Sequence, residues 1–185
     1  MSRTDLSTYN NHWYQAVIGA GKMKQTLWHF VNVLFFINPL NPFSGLKCRL
    51  LKCFGADLGK SIVIKPGVNR KYPWKLTIGD HCWIGEKVWI DNLARVTLGN
   101  HVCLSQGAML LTGNHDYRKT SFDLIVKEIV IEDGAWIGAK SIVAPGVTAF
   151  SHSVLMAGSV ATNNLEADTI YAGNPLVAKR KRVIS

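Results

Sequence analysis

The chain is short of acid. Its 185 residues hold 12 Asp and Glu against 21 Lys and Arg, a formal charge of +9. Charge of either sign is sparse at 18% of residues, while 48% are apolar, which excludes a disordered chain and suits one well-cored domain. No apolar run is long enough to span a bilayer, which takes about 20 residues. The longest, Thr26 to Leu40, is broken by His29, Asn32 and Asn38. The opening MSRTDLSTYNNHWYQ lacks the apolar centre of a secretory signal. Cysteine pairing is missing as well: Cys48, Cys53, Cys82 and Cys103 form no CxxC, and no His or Cys completes a zinc spacing. The reading is of reduced, mostly buried thiols in a cytoplasmic protein, with no metal. Nucleic-acid modules are absent, so the positive charge is not read as nucleic-acid binding; an anionic membrane surface or a phosphorylated ligand remains open.

Helical periodicity is absent from residue 60 to 165, and a period of six replaces it. From Ile78 the chain reads IGDHCW, IGEKVW and IDNLAR, then two extra residues, then LGNHVC, LSQGAM and LLTGNH. After an interruption come IEDGAW, IGAKSI, VAPGVT, AFSHSV, LMAGSV and ATNNLE. If each unit is a short strand plus a turn, three units close one coil of roughly 18 residues, and successive coils stack as parallel strands on three faces. The opening aliphatics fill a narrow core, and small residues let the chain bend at corners. His81, His101 and His152 occupy the fourth place of their units, so they should lie at corners and face outward, with His81 and His101 stacked. The repeat breaks at 70–75, RKYPWK, and at 114–128, NHDYRKTSFDLIVKE, both read as surface excursions.

The first 55 residues form a separate helical segment. Lys22 to Ile37 places Met23, Leu27, Phe30, Val31, Leu34 and Phe35 at helical spacing, and the Asn-Pro pairs at 38–39 and 41–42 end that helix. A second turn or two covers Gly45 to Phe54. The segment should cap the open end of the solenoid; alternatively Trp28, Phe35 and Phe36, with neighbouring lysines, rest on the inner face of a membrane as a peripheral contact. The expected organisation is a cap at 1–55, a β-helix at 56–177 and a basic tail at 178–185.

The GNHDYR break, the IEDGAWIGA coil and the AGNP turn together resemble the left-handed β-helix acyltransferases of the hexapeptide-repeat superfamily. The stretch WKLTIGDHCWIGEKVWIDNLARVTLGNHVCLSQGAMLLTGNHDY, with LLKCFGADLG and AGNPLVAK, most resembles the colanic-acid acetyltransferases of exopolysaccharide biosynthesis. That resemblance implies an all-β solenoid, a left-handed parallel β-helix assembled as a homotrimer with each site between two solenoids, using acetyl-CoA as cosubstrate to acetylate a sugar hydroxyl.

Such a transfer needs a base for the hydroxyl proton, donors facing the developing oxyanion and a groove that orients the acyl donor. By the resemblance His115 is the base. Gly138 and Ala139 meet the thioester, and Ala157, Gly158 and Thr162 lie along the pantetheine. Lys179 and Arg180 are candidates for the coenzyme phosphates. Trp136 either packs on the pantetheine or simply fills a corner. Relatives acting on galactosides or maltose carry an Asn near the place of Gly85, so simple disaccharides fit less well here. A nucleotide- or lipid-linked sugar is the expected acceptor. Asp91 and Asn92, with Tyr117 and Arg118 from the excursion, are its candidate contacts. Xenobiotic or serine acetylation stands as an alternative acceptor, and a γ-carbonic-anhydrase-like metalloenzyme or an inert scaffold as an alternative class.

Overall fold

Ile78, Ile84, Ile90, Leu98, Leu104 and Leu110, each the opening residue of a hexapeptide, are buried on one continuous axis. Ile131, Ile137, Val143, Leu155 and Ala161 extend it. The structure, a computed structural model, describes residues 3–184. It is the expected parallel β-solenoid, of about six turns. Its first face stacks Asp57–Leu58, Leu76–Ile78, Val96–Leu98, Ile129–Ile131 and Thr148–Ala149. The second stacks Val63–Ile64, Trp83–Ile84, Cys103–Leu104, Trp136–Ile137, Val154–Leu155 and Thr169–Ala172. The third stacks Asn69–Arg70, Trp89–Asp91, Met109–Leu111, Ile142–Val143 and Val160–Ala161.

The corners explain the histidines. His81, Lys87, His101, Lys140 and His152 hold φ between 56° and 59°, so the fourth place of the unit is a left-handed bend. That conformation costs an L-residue on the order of 1 kcal/mol, and His tolerates it better than most. As expected, the His81 and His101 rings stack, centroids 5.1 Å apart and 8° from parallel. Among the described residues no three His, Cys, Asp or Glu side chains gather as a metal site would need.

Three short helices precede the coils: α1 (His12–Val17), α2 (Lys22–Val31) and α3 (Ser44–Cys53). A π-helical turn, Asn32–Ile37, continues α2. The cap is present, but its buried side differs from the expected one. Trp28, Asn32 and Phe36, four residues apart, point inward and with Leu51 of α3 seal the core end. Their size is the reason: aromatic rings plug the triangular opening, and the Asn32 side chain pairs with Asn69 Oδ1 at 2.8 Å. Val31 and Phe35 are half-buried, whereas Met23, Leu27, Phe30 and Leu34 face outward. Trp28 and Phe36 are therefore unavailable to a membrane, correcting that part of the sequence reading.

Two further expectations are corrected. RKYPWK is no surface excursion. Arg70 and Pro73 are buried, and Trp74 packs beneath α1 with its indole N–H donating to the Ile18 carbonyl at 2.7 Å. The end is not a loose tail either, because Val177–Lys181 pairs antiparallel with Thr169–Ala172 on the second face. Arg182 Nη1 then donates to the Gly134 and His152 carbonyls at 2.9 and 3.1 Å.

Two cations are buried at the capped end without a carboxylate partner among the described residues. Lys47 Nζ donates to the Ile64 and Lys65 carbonyls at 3.2 and 3.1 Å. The Arg70 guanidinium lies 3.7 Å over the Phe36 ring and donates through Nη2 to Val68, while Nη1 has no partner among the described residues. Burial lowers the proton affinity of both groups, taking Lys47 to about 8.

Candidate active site

The chain leaves the third face after Met109–Leu111, where the Thr112 hydroxyl donates to the Asp91 carbonyl and accepts from Ala94 N–H. It then runs outward as Gly113–His115 and returns antiparallel as Leu124–Val126, with His115 opposite Leu124. The expected excursion is thus a hairpin. Its tip is held by its own charges: Arg118 Nε lies 3.2 Å from Asp116 and Lys119 Nζ 2.8 Å from Asp123. The other end of the chain reaches it too, Asp5 N–H donating to Thr120.

His115 is half-buried, its Nδ1 2.9 Å from the Phe122 carbonyl oxygen. A carbonyl only accepts, so Nδ1 carries the proton and Nε2 of the neutral ring keeps its lone pair. The ring is flanked by Phe122, stacked at 4.4 Å between centroids, and by Tyr9 at 5.8 Å. The cleft in front of it is lined by Tyr9, Asn11, Tyr14, Lys71, Asp91 and Leu93. Beyond an ion pair of Lys71 with Asp91, 3.5 Å long, it runs into a groove lined by Gln25, His29, Asn69, Tyr72 and Trp89. Burial pushes the hydroxyls of Tyr14 and Tyr72 above their ordinary titration range, so both stay neutral donors beside the cleft.

Of the expected acceptor residues, Asp91 faces this cleft. Asn92 does not: it is fully buried, its Oδ1 accepting from the N–H groups of Lys71 and Tyr72, both at 3.0 Å, and its Nδ2 donating to the Tyr72 carbonyl. The side chain is consumed in turning the chain between coils, which corrects its assignment as an acceptor contact. Tyr117 is 78% exposed at the hairpin tip, and Arg118 is engaged by Asp116. Tyr9, Tyr14, Lys71 and Phe122 were missed. Tyr9 and Tyr14 lie in or beside a helix of six residues, too short to show a period. Lys71 belongs to the break misread as a surface loop.

The expected donor-binding residues separate into two places. Gly138 and Ala139 form the corner between the second and third faces, just after Trp136–Ile137. Ala157 and Gly158 form the same corner one coil on, Gly158 N–H donating to the Ala139 carbonyl at 2.8 Å. A Cβ on Gly138 would lie 2.5 Å from Ala157 N and 2.6 Å from the Leu155 oxygen, so the corner admits no side chain there. Gly138 N–H is already bound to Leu155 O at 2.7 Å, whereas Ala139 N–H has no acceptor among the described residues. Ala157 and Gly158 are exposed, and the Ala157 N–H likewise has no acceptor among the described residues, leaving a smooth strip with two free donors, which suits a thin pantetheine chain. Trp136 borders the strip on the second face, 46% exposed, with its indole N–H donating to Ser105 Oγ. Lys179 and Arg180 lie exposed on the last strand of that face. Thr162 does not join the strip; it lies at the corner after the third face, beside Lys127 and Gly146.

His115 also follows the third face, whereas the strip precedes it. Within one chain the two therefore border opposite edges of the same face. No protein-family profile matches the chain. Escherichia coli (strain K12) WcaF, assigned to colanic acid biosynthesis as an acetyltransferase, is 38% identical over 165 residues, 89% of this chain and 91% of WcaF. The chain belongs to the WcaF family of acetyltransferases. A galactoside O-acetyltransferase of Lactococcus lactis is 28% identical to this WcaF-family chain over 138 residues, covering 72% of it and 66% of the relative. Among solved structures, a hexapeptide-repeat acetyltransferase of Vibrio cholerae in complex with acetyl coenzyme A superposes with a TM-score of 0.78 at 27% identity. That match covers 88% of this WcaF-family chain and 89% of the neighbour.

Proposed function

We propose that this acetyltransferase moves acetyl from acetyl-CoA to a hydroxyl of a sugar, in the making of a colanic-acid-like exopolysaccharide. The observation that carries the proposal is the His115 ring, tied through Nδ1 to the Phe122 carbonyl, which leaves Nε2 as its free nitrogen, and lining a cleft with polar and aromatic side chains. In this reading the acceptor lies along the cleft, with Asp91 and Lys71 bonding sugar hydroxyls and Tyr117 and Arg118 closing over it. Nε2 takes the hydroxyl proton as the oxygen forms its bond to the thioester carbonyl carbon. The Ala139 N–H donates to the oxygen on which charge develops. The C–S bond then breaks and the imidazolium returns its proton to the departing sulfur. The coenzyme lies along Gly138, Ala139, Ala157 and Gly158 with Trp136 beside the pantetheine, and Lys179 and Arg180 reach its phosphates.

Because the strip and His115 border opposite edges of one face, the site is completed by a second copy: one chain gives His115 and Thr162, its neighbour the strip. A homotrimer closes three such sites. The outward residues of the third face suit an interface, since Trp89, Met109, Ile142 and Val160 are apolar and the charged Asp91 lies at the edge beside the His115 cleft.

Incubating the protein with labelled acetyl-CoA and a panel of nucleotide-linked sugars, lipid-linked sugars, serine and chloramphenicol tests the reading. Transfer to a sugar, lost in His115→Ala, supports it. Transfer only to serine or chloramphenicol refutes the acceptor, and near-normal turnover by His115→Ala refutes the base.

A further inference from the structure

The cap helices have two apolar sides. Trp28, Phe36 and Leu51 face the solenoid and close its core. On the other side Met23, Leu27, Phe30 and Leu34 repeat at intervals of four, three and four along α2 and its π-helical turn, each more than half exposed. Leu40 and Phe43 in the following loop continue the series, Leu40 at 85% exposure. Isolated exposed aliphatics are ordinary, but a run of large ones on a single helix face marks a surface that meets another apolar phase.

Charge decides which phase. Between Asp5 and Asp57 the sequence contains no Asp or Glu. The same segment exposes Lys22, Arg49 and Lys52. A second copy docked by the same face would set bases against bases with no acid to pair them. An anionic bilayer has the opposite character, an apolar interior behind a negative surface. Neither helix suits insertion: among the described residues none is long and apolar enough to cross a membrane. An apolar row on a short helix, in a segment whose only charged side chains are bases, suits burial in the headgroup region, parallel to the surface.

We infer that the outer face of the N-terminal cap, centred on Leu27, Phe30, Leu34 and Leu40, docks on an anionic lipid bilayer. The groove beyond His115 is lined partly by Gln25 and His29 of the same helix, so docking brings the membrane close to that groove. The inference does not depend on the acceptor being a sugar.

The test is co-sedimentation of the full chain with vesicles of phosphatidylcholine alone or mixed with phosphatidylglycerol, at low and high salt. Leu27 and Leu34 lie outside the cleft and groove, so Leu27→Glu with Leu34→Glu should keep the wild-type melting temperature and coenzyme A binding. The expected result is partition at least about 10-fold stronger on the anionic vesicles, weakened by salt and reduced about 10-fold in the double variant. Equal partition on both vesicles, or none, overturns the inference. So does a double variant that binds vesicles normally, or one whose only change is its oligomeric state, which would place the face between copies.

Discussion

The His115 imidazole lies flat on the Phe122 ring, planes 8° from parallel, while its Nδ1 donates to the carbonyl oxygen of that same residue. One residue thereby fixes both the plane and the tautomer of the proposed base. The hydrogen bond comes from the backbone, so substitution at 122 removes the stacking and leaves the acceptor atom.

Phe122→Ala should therefore act on orientation. The expected outcome is kcat lower by about 10-fold, with KM for acetyl-CoA within a factor of about two and Phe122→Tyr restoring the rate. His115→Ala, which deletes the base, should cost at least about 100-fold. Steady-state kinetics at saturating acceptor distinguish the two, and full kcat in Phe122→Ala would show that stacking does not position the ring.

Ala139→Pro removes one N–H and, because that N–H has no acceptor among the described residues, breaks no hydrogen bond of the coil. The preceding Gly138 tolerates the restriction that proline places on its neighbour. If the Ala139 N–H faces the developing oxyanion, kcat falls by about 100-fold with coenzyme A affinity, measured by calorimetry, little changed. An unchanged kcat would assign the oxyanion elsewhere.

Asn92→Ala should damage the fold, since it leaves the Tyr72 N–H unpaired in a buried corner, while the Lys71 N–H keeps the Ile90 carbonyl and the Tyr72 carbonyl keeps the Lys75 N–H. A loss of about 2 kcal/mol is expected, read as a fall in denaturant midpoint. Asn92→Asp keeps both acceptor contacts but sets a buried carboxylate oxygen against the Tyr72 carbonyl, and should lose at least as much. A normal midpoint with a raised KM for the acceptor would restore Asn92 to the substrate.

The coils were legible in the sequence because a solenoid repeats one environment: every sixth residue from Ile78 meets the same core, so the period appears in the letters. The His115 hairpin announced itself as a break in that period. The cap was legible as a helix but not by face. Trp28, Asn32 and Phe36 form its inner row, and a polar Asn in the middle hides that row from a search for apolar spacing. The outer row, being wholly apolar, imitates a buried one. Arg70 was misread for a related reason, because a guanidinium under the Phe36 ring has no signature in a segment rich in Lys and Tyr. Asn92 and Asp91 are neighbours in the sequence, yet the strand alternation sends one into the corner and the other to the cleft.

Lys47 gives a stability test that is independent of catalysis. Burial, with a smaller contribution from Arg70, lowers its pKa from an ordinary 10.5 to about 8. Below pH 8 the ammonium is charged in the folded and unfolded chain alike and adds no pH dependence. Between about 8 and 10.5 the folded chain has released the proton while the unfolded chain still holds it. The unfolded state then binds more protons, so the free energy of unfolding rises with pH across that window and levels off above it. Lys47→Met lacks this term, and the difference between wild type and variant isolates it from thiols and tyrosines titrating nearby. That difference should grow in favour of the wild type by up to ~3 kcal/mol between pH 7.5 and 10.5, read from urea unfolding of both proteins. The neutral amine still donates to the Ile64 and Lys65 carbonyls, so deprotonation removes the buried charge without removing the contacts. A difference that stays flat would mean that the two carbonyls hold the proton on Lys47 through the whole range.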